Sequence, residues 1–267
     1  MEIQGKKYLQ RQFLLRGKTK KKITHCFDHQ ENSLPVFPVN GKISVFCLQI
    51  PLPSMIQQQA FTFNPFQENT WILSNDSKQA IIIDPGCSNA AEENILAKYI
   101  SDNELNPVAV WLTHCHIDHV LGLDFCIWKW GLAYYLHPDE IPVLKAVEVY
   151  APAYGFQQYR SPETEGMALD TGEISLGEDV FQILFVPGHA PGHIAFYHAA
   201  SAQVWAGDVL FRESIGRTDL PGGDHRQLEK SIREKLYTLD HETIVHSGHG
   251  PDTSIGHEKR HNPFVRG

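Results

Sequence analysis

A seven-residue segment, Thr-His-Cys-His-Ile-Asp-His at residues 113–119, constrains this chain more than any other, because it directly follows an apolar, strand-like run. In extended backbone the side chains at positions i and i+2 point to the same side, so His114 and His116 can reach one point. Asp118 and His119 come where the pattern changes from strand to helix. Their side chains can reach a second position close to the first. Imidazole and carboxylate groups bind divalent ions of the zinc or iron type, so the segment predicts a metal site rather than a chance histidine-rich loop.

Three further candidates follow strand-like runs later in the chain. His189 lies in Val-Pro-Gly-His, Asp208 in Ala-Gly-Asp and His249 in Ser-Gly-His-Gly-Pro. Taken singly, each has an ordinary alternative, because the aspartate can cap a turn and the histidines can be surface residues. A glycine beside each one lets the backbone approach a crowded site. This shared setting favours convergence of all three on the same site.

Residues 1–54 differ in charge from the rest of the chain. They carry nine Lys and Arg against three Asp and Glu, a net of +6, whereas residues 55–267 carry fourteen against twenty-eight, a net of −14, giving −8 together. The first segment has no sustained hydrophobic period, so we expect a poorly ordered basic extension, 1–54, before a folded domain, 55–267. Because a domain with this net negative charge repels phosphate backbones, we expect no nucleic-acid partner.

Composition narrows the class of protein further. A chain of 267 residues with 42% hydrophobic residues can bury one sizeable core. Its apolar runs fall short of the roughly 18–20 residues that a membrane-spanning helix needs, so we expect no membrane partner. Five scattered cysteines are too few for a disulfide framework, and their odd number leaves one unpaired. Reduced thiols fit a cytoplasmic protein.

The order of the predicted elements favours two sheets packed face to face with helices outside. Strand-like runs come in groups, with helical patterns inserted between some of them. The predicted strands lie at residues 61–63, 70–73, 79–83, 108–112, 180–186, 194–197, 204–206 and 243–245. The predicted helices lie at residues 91–100, from 119 through 130, and at 227–239.

The order His-x-His-x-Asp-His, then a lone histidine, a lone aspartate and a final histidine, resembles that of the metallo-β-lactamase superfamily. The resemblance covers residues 59–267 and implies an α/β fold of αββα type, a four-layer sandwich. Asp84, in Ile-Ile-Ile-Asp-Pro-Gly, falls at the first motif of that superfamily, where the aspartate buttresses the metal loop.

Two later stretches narrow the resemblance. Ser-Ile-Gly-Arg-Thr-Asp-Leu-Pro-Gly-Gly-Asp at residues 214–224 and Asn-Pro-Phe at 262–264 are similar to the short bacterial hydrolases of glyoxalase II type. That similarity implies two divalent metal ions. Zinc is the expected metal, and iron and manganese can bind the same ligands. It assigns His114, His116 and His189 to one ion, Asp118, His119 and His249 to the other, and Asp208 as the bridge between them.

The implied site suits hydrolysis. Two ions of charge +2 lower the pKa of a bound water toward neutrality, which activates a hydroxide, and they polarise a carbonyl. Asp118 is the predicted catalytic residue, because it can orient that hydroxide while it binds metal. A departing thiol with a pKa of about 8.5 needs little protonation. We therefore predict a metal-dependent thioester hydrolase acting on a small-molecule S-acyl glutathione, with S-lactoylglutathione as the leading candidate, although a lactone fits equally well.

Substrate-binding residues are left unassigned by the sequence. Two-domain glyoxalase II enzymes bind glutathione partly through a C-terminal helical domain, whereas 18 residues follow His249 here. Recognition is then expected elsewhere, with residues 150–159 and Arg217 as candidates. Each has an alternative role, because the tyrosines can be packing residues and Arg217 can pair with Asp219 or Asp224.

Other functions compete with this prediction. Persulfide dioxygenases share the implied fold and the Gly-Arg-Thr-Asp stretch but use one iron and oxygen; the Pro-Gly-Gly-Asp continuation and the complete second site favour the hydrolase. A non-enzymatic module is disfavoured because every ligand position is filled, and β-lactam hydrolysis is a weaker option. Cys115 is expected to point away from the metal. His193 is expected to make a supporting hydrogen bond.

Overall fold

The computed structural model describes residues 37–39, 42–44 and 56–267. Strands β1 (Phe37–Val39) and β2 (Lys42–Ser44) pair antiparallel as a short hairpin. The other residues of the predicted extension, 1–54, lie outside the described residues. The order of that segment and its boundary with the domain therefore stay predictions.

The first large sheet, sheet I, starts as an antiparallel meander and continues as parallel strands. Parallel neighbours need a crossover connection, and helices supply it after the third, fourth and fifth strands. In spatial order the strands are β3 (Gln57–Phe63), β4 (Glu68–Ser74), β5 (Gln79–Ile83), β6 (Asn106–Trp111), β7 (Ala133–Leu136) and β8 (Met167–Ala168). The helices are α1 (Ala90–Asp102), α2 (Ile117–Val120), α3 (Leu123–Trp130) and α4 (Ile141–Tyr150).

The second large sheet, sheet II, has the spatial order β16-β15-β12-β11-β10-β9. Only its β12–β15 pair is parallel, and the connection between these two strands contains a small hairpin and a helix. Along the chain its strands are β9 (Gly172–Leu176), β10 (Asp179–Phe185), β11 (Ile194–His198), β12 (Gln203–Gly207), β15 (Ile244–Ser247) and β16 (Thr253–Ser254). The remaining elements are β13 (Leu210–Phe211), β14 (Ser214–Ile215), α5 (His225–Ser231) with a π-helical turn Ile232–Leu236, and α6 (Ile255–His261).

Alternating side chains of the central strands face different layers, which produces a four-layer structure. Ile81 and Ile83 of β5 pack with Phe181 in the apolar cluster between the sheets. Ile82 points the other way, into the cluster that Leu96 of α1 shares. A third cluster joins sheet II to its own helices through Val204, Leu228 and Ile255. The predicted αββα sandwich is therefore confirmed.

The predicted helix ending at residue 130 is two helices, α2 and α3, with a break at Gly122. The backbone N–H of Gly122 donates to the carbonyl of Pro85 at 2.8 Å. A Cβ at Gly122 would lie 2.2 Å from Sγ of Cys87. The break thus lets the loop after β5 pack directly against the histidine-bearing segment. Within residues 56–267, no helix is both long and apolar enough to span a membrane.

Candidate metal centre

Strand ends from both sheets meet at one edge of the sandwich. Sheet I contributes the residues after β5 and β6, and sheet II contributes those after β10, β12 and β15. The predicted ligands all lie in these connections. In each predicted set the ligand atoms lie within 4.8 Å of one another, the sets being His114, His116 and His189, and Asp118, His119 and His249.

The first set, called the three-histidine set, brings together nitrogens from both sheets. Nε2 of His189 lies 3.2 Å from Nε2 of His114 and 2.8 Å from Nδ1 of His116. Two nitrogens bound at 2.0–2.1 Å to one tetrahedral zinc are about 3.3 Å apart. The three nitrogens are therefore spaced to share one ion.

The second set, called the Asp118 set, lies beside the first, and Asp208 lies between them. Oδ2 of Asp118 is 3.1 Å from Nε2 of His249 and 3.8 Å from Nε2 of His119. Oδ2 of Asp208 is 3.6 Å from Nε2 of His189 and 3.5 Å from Nε2 of His249. Its Oδ1 is 3.4 Å from Nε2 of His119. Asp208 can therefore contact an ion in either set.

Contacts at the outer nitrogen fix the orientation of most of these histidines. Four of them have Nδ1 next to an oxygen: His114 at Thr113 Oγ1 (3.1 Å), His119 at Asp84 Oδ2 (3.1 Å), His189 at the Arg217 carbonyl (2.7 Å) and His249 at the Phe66 carbonyl (3.1 Å). A carbonyl or carboxylate oxygen accepts from Nδ1 only when Nδ1 carries the proton. The lone pair is then on Nε2, which faces the centre, as in metal-binding histidines.

Two buried atoms of the centre have no hydrogen-bond partner among the described residues. They are Nε2 of His119 and Oδ1 of Asp208. An unsatisfied buried polar atom costs about 1–3 kcal/mol, and more when it is charged. A cation between the two would satisfy both, and imidazole with carboxylate is a donor set of zinc and iron. The residues present therefore fit a metal site.

The protonation states of the three-histidine set and of Asp208 suit metal binding. Burial, and next the neighbouring His189, lower the pKa of His116 to about 3. Burial lowers the pKa of His114 and of His189 as well. Burial alone would raise the pKa of Asp208, but His119 and His189 hold it below the usual range of an aspartate. At neutral pH the three-histidine set is therefore uncharged and Asp208 is ionised.

Asp84 anchors the histidine-bearing segment, as the family resemblance implies. It accepts the backbone N–H of Thr113 at 2.7 Å through Oδ1. Through Oδ2 it accepts the Thr113 hydroxyl at 2.5 Å and faces Nδ1 of His119 at 3.1 Å. Because the Thr113 hydroxyl donates to Asp84, its oxygen is free to accept from Nδ1 of His114. One buried carboxylate thus orients two of the predicted ligands.

Asn69 supports the centre from β4, although no sequence motif points to it. Its Nδ2 donates to the carbonyls of Ser247 at 3.1 Å and Gly250 at 2.9 Å, on either side of His249. Its backbone N–H donates to the carbonyl of Gly248 at 2.7 Å. The only signal in the sequence is a polar residue directly before the predicted strand at residues 70–73. Asn69 fixes the His249 loop of sheet II to sheet I.

Two further polar residues next to the centre were also missed. The Glu68 side chain is fully buried, and its Oε1 lies 4.0 Å from Nδ1 of His119. Burial raises the pKa of Glu68 well above the usual range. The side chain of Asn64 donates to the carbonyls of Gly86 at 2.9 Å and Asp118 at 3.0 Å. Asn64 therefore joins the Asp84 loop to the Asp118 set.

His193 and Cys115, which were considered from the sequence, lie next to the candidate ligands but have structural roles. Nε2 of His193 accepts the backbone N–H of Asp208 at 3.1 Å, and its ring stacks on His114 with 4.6 Å between centroids. Cys115 is fully buried in the core between sheet I and its helices. Burial raises the pKa of the Cys115 thiol well above the usual range, so it is a packing residue rather than a nucleophile.

An exposed aromatic surface adjoins the Asp118 set. The rings of Tyr154 and Phe156 each lie 6.1 Å from that of Phe66, whose carbonyl faces His249. Tyr154 is 56% exposed and Phe66 is 39% exposed. We call these three aromatic residues the aromatic rim. Phe156 is partly buried against the helix-side core, whereas exposed aromatic side chains such as Phe66 and Tyr154 are suited to contact a bound small molecule.

The other candidates for substrate binding have packing or pairing roles. Tyr150 and Tyr159 are partly buried against the helix-side core. Arg217 forms a two-bond pair with Asp219, with Nε to Oδ1 and Nη2 to Oδ2 both at 2.7 Å. Of the two carboxylates considered for Arg217, Asp219 is the one it contacts.

Gly248 lies directly against the side chains of Asp208 and His119, which gives a first prediction. A Cβ at Gly248 would lie 2.2 Å from Oδ1 of Asp208 and 2.8 Å from Cε1 of His119. We expect Gly248→Ala to displace the Asp208 carboxylate and weaken Zn²⁺ binding by about 10-fold or more, measured by competition with a chelator. Gly250→Ala is the control, since it strains the same loop at φ +71° with nothing within 4 Å of the new Cβ. Equal Zn²⁺ affinity in wild type and Gly248→Ala would contradict this reading.

Comparison with protein families gives one match over the part of the chain that carries the centre. The model described as "Metallo-beta-lactamase superfamily" matches residues 63–249. The chain is 39% identical over 208 residues to "Probable metallo-hydrolase YqgX" of Bacillus subtilis, a match covering 76% of this chain and 94% of that protein. It is 38% identical over 206 residues to "Hydroxyacylglutathione hydrolase GloC" of Haemophilus influenzae, covering 75% and 93% respectively.

Solved structures whose names include a metallo-beta-lactamase and a di-iron protein also match this chain. "BLEG-1 B3 metallo-beta-lactamase" superposes with a TM-score of 0.72 at 36% identity, covering 79% of this chain and 100% of the other. "TTHA1623 in a di-iron-bound form" superposes with a TM-score of 0.70 at 39% identity, covering 78% of this chain and 100% of the other.

Proposed function

The chain belongs to the metallo-beta-lactamase superfamily, whose members bind divalent metals, and we propose that it is a two-metal hydrolase that cleaves the thioester bond of a small S-acyl glutathione. S-Lactoylglutathione is the leading substrate. The observation that carries the proposal is that one carboxylate, Asp208, lies within 3.6 Å of a histidine nitrogen in each set of candidate ligands. Such a carboxylate can hold two ions next to each other.

The proposed reaction divides the work between the ions and the chain. When bound, two divalent ions supply Lewis-acid polarisation of the carbonyl and lower the pKa of the attacking water. The three-histidine set and the Asp118 set would hold them, with Asp208 shared. Asp118, whose side chain is 14% exposed, would accept a hydrogen bond from the attacking water and so orient it.

Thioester chemistry fits this arrangement better than amide chemistry. A thiol leaves as a thiolate at a pKa of about 8.5 and needs little help from a general acid. The name of the Haemophilus influenzae relative, a hydroxyacylglutathione hydrolase, supports an acylated glutathione as substrate. The aromatic rim would contact the glutathione part, beside the Asp118 set.

Zinc is the proposed metal, and iron is the alternative. Histidine and aspartate suit both ions. The di-iron form of one similar structure supports two ions in a centre of this family.

A substrate panel tests the proposal. The protein loaded with Zn²⁺, and separately with Fe²⁺, would be assayed on S-lactoylglutathione, a lactone, a cephalosporin, and glutathione persulfide with an oxygen electrode. We expect the thioester to have the highest kcat/KM, by about 100-fold or more, which corresponds to roughly 3 kcal/mol in transition-state binding. Oxygen uptake on the persulfide without thioester cleavage would instead identify a dioxygenase. Faster cleavage of the lactone or cephalosporin would overturn the substrate class.

The aromatic rim gives a prediction about substrate binding. We expect Tyr154→Ala to raise KM for S-lactoylglutathione about 5- to 10-fold with little change in kcat, since one aromatic contact contributes about 1 kcal/mol. Phe264→Ala is the matched control, because Phe264 is 53% exposed, close to the 56% of Tyr154, but follows α6. An unchanged KM in Tyr154→Ala, or the same rise in the control, would show that the rim does not bind substrate.

A further inference from the structure

Glu140 lies in a short 3₁₀ turn, Pro138–Glu140, after β7, and it is almost fully buried. We propose that Glu140 is a positioning residue that holds together the two loops carrying the three-histidine set. The inference rests on the metal centre of the proposed function. It concerns a residue that contacts none of the candidate ligand side chains.

The contacts of Glu140 join two segments that are distant in sequence. Its Oε2 accepts the backbone N–H of Cys115 at 2.7 Å. Its Oε1 accepts the backbone N–H of Gly192 at 2.7 Å. Cys115 lies between His114 and His116, and Gly192 lies three residues after His189. One carboxylate therefore links the backbones on which all three ligands of one set are mounted.

These segments come from different sheets. The Cys115 segment follows β6 of sheet I, and the Gly192 segment joins β10 to β11 of sheet II. The two sheets are held mainly by apolar side chains, which fix their separation but allow sliding more readily than a hydrogen bond does. A second polar link joins the same two segments, where the backbone N–H of Ile194 donates to the carbonyl of Thr113 at 2.9 Å. Glu140 thus sets the register of the sheets where metal ligands must meet.

The local packing is shaped around this carboxylate. A Cβ at residue 192 would lie 2.9 Å from both Cγ and the backbone N of Glu140, so only glycine lets the two segments come this close. Burying a carboxylate is costly unless its oxygens are hydrogen-bonded, and here each oxygen receives one amide N–H. His137 begins the turn and accepts the backbone N–H of Asp139 at 3.2 Å, which holds Glu140 in place.

The chemical consequence concerns metal affinity. Metal–nitrogen distances tolerate changes of only about 0.2 Å, so a small shift of one loop weakens the bond. Loss of a residue that orients ligands costs about 10- to 100-fold in affinity. In Glu140→Gln one carboxylate oxygen becomes an NH₂ group facing a backbone N–H, and one loop is released. The effect should fall on the three-histidine set more than on the Asp118 set, whose His249 is held by Asn69.

The test measures Zn²⁺ binding to the full chain by competition with a chromophoric chelator. Wild type should bind two Zn²⁺ ions, and Glu140→Gln should bind one of them about 10- to 100-fold more weakly. The control is Glu258→Gln, because Glu258 is also almost fully buried and accepts from the Glu213 N–H at 3.0 Å and from Asn262 Nδ2 at 2.9 Å, neither of which belongs to a candidate ligand. The control should lose thermal stability but keep both affinities.

The remaining outcomes distinguish failure of the positioning role from failure of the proposed function. Wild-type Zn²⁺ affinity in Glu140→Gln, or equal weakening in Glu258→Gln, would overturn the positioning role and leave the proposed hydrolase intact. A wild-type protein that binds no Zn²⁺ or Fe²⁺ would overturn the proposed function itself. If Glu140→Gln does not fold, Glu140→Asp keeps the charge with a shorter reach. That variant should show a smaller loss at the same ion, and unchanged affinity would again overturn the inference.

Discussion

Asp208→Asn is expected to lower thioester turnover by about 1,000-fold or more while the fold persists. Asp208 is the only carboxylate among the described residues that lies within 3.6 Å of a histidine nitrogen in both sets, at His189 and at His249. The amide of asparagine is neutral and binds cations more weakly than a carboxylate. Two adjacent ions of charge +2 would then repel each other more strongly, because no carboxylate charge would lie between them. We expect the metal content to fall from two ions per chain to one or none.

Turnover of S-lactoylglutathione, metal analysis and circular dichroism check this prediction on one preparation. Asp102→Asn is the control, because it removes an exposed carboxylate at the end of α1 whose partner is Lys98. The control should retain full turnover and both ions. Full turnover in Asp208→Asn would show that this residue does not bridge two ions.

Removal of metal should abolish turnover and also lower the thermal midpoint. Without ions, Nε2 of His119 and Oδ1 of Asp208 are buried and have no hydrogen-bond partner among the described residues. Ions present at 1,000 times their Kd stabilise a folded protein by about 4 kcal/mol. For a domain of 150–250 residues each kcal/mol shifts the midpoint by about 2–4 °C, so we expect a loss of roughly 10 °C. Calorimetry before and after dialysis against a chelator measures it.

Recovery makes the metal experiment specific. Added Zn²⁺ or Fe²⁺ should restore both turnover and the thermal midpoint, whereas Mg²⁺ should restore neither, because it prefers oxygen ligands and octahedral geometry. Asp208→Asn treated in the same way should show a smaller loss of midpoint, since it binds fewer ions at the start. Turnover that survives complete removal of metal would contradict the proposed mechanism.

Much of the fold was predictable from residue patterns. Apolar runs such as residues 71–73 of β4 and 80–83 of β5 were identified because both faces of these strands are buried between layers. The helix α4 was missed because its apolar residues follow no clear helical period, although Pro142 lies in the first turn, where proline is favoured. The helix α5 begins two residues before the predicted start because Asp224 caps it by accepting the Gln227 N–H. Short edge strands such as β8 have too few residues to show any period.

The candidate ligands can be recognised in the sequence, whereas the residues that position them cannot. The ligands are residue types of metal chemistry that follow strands closely, four of them within residues 113–119, and the structure brings them all to one edge. Asn69 and Glu140 instead act through backbone carbonyls and amides far away in the chain. Such contacts impose no spacing and no partner residue type, so only the folded arrangement reveals them. The aromatic rim depends in the same way on two loops meeting.

The presence of two ions at the edge of the sandwich is tested most directly by crystals of the purified protein with anomalous diffraction data at the zinc and iron edges. Two peaks are predicted, one among His114, His116 and His189 and the other among Asp118, His119 and His249, with Asp208 between them. A single peak beside the three-histidine set, with the Asp118 set empty at full loading, would contradict the account.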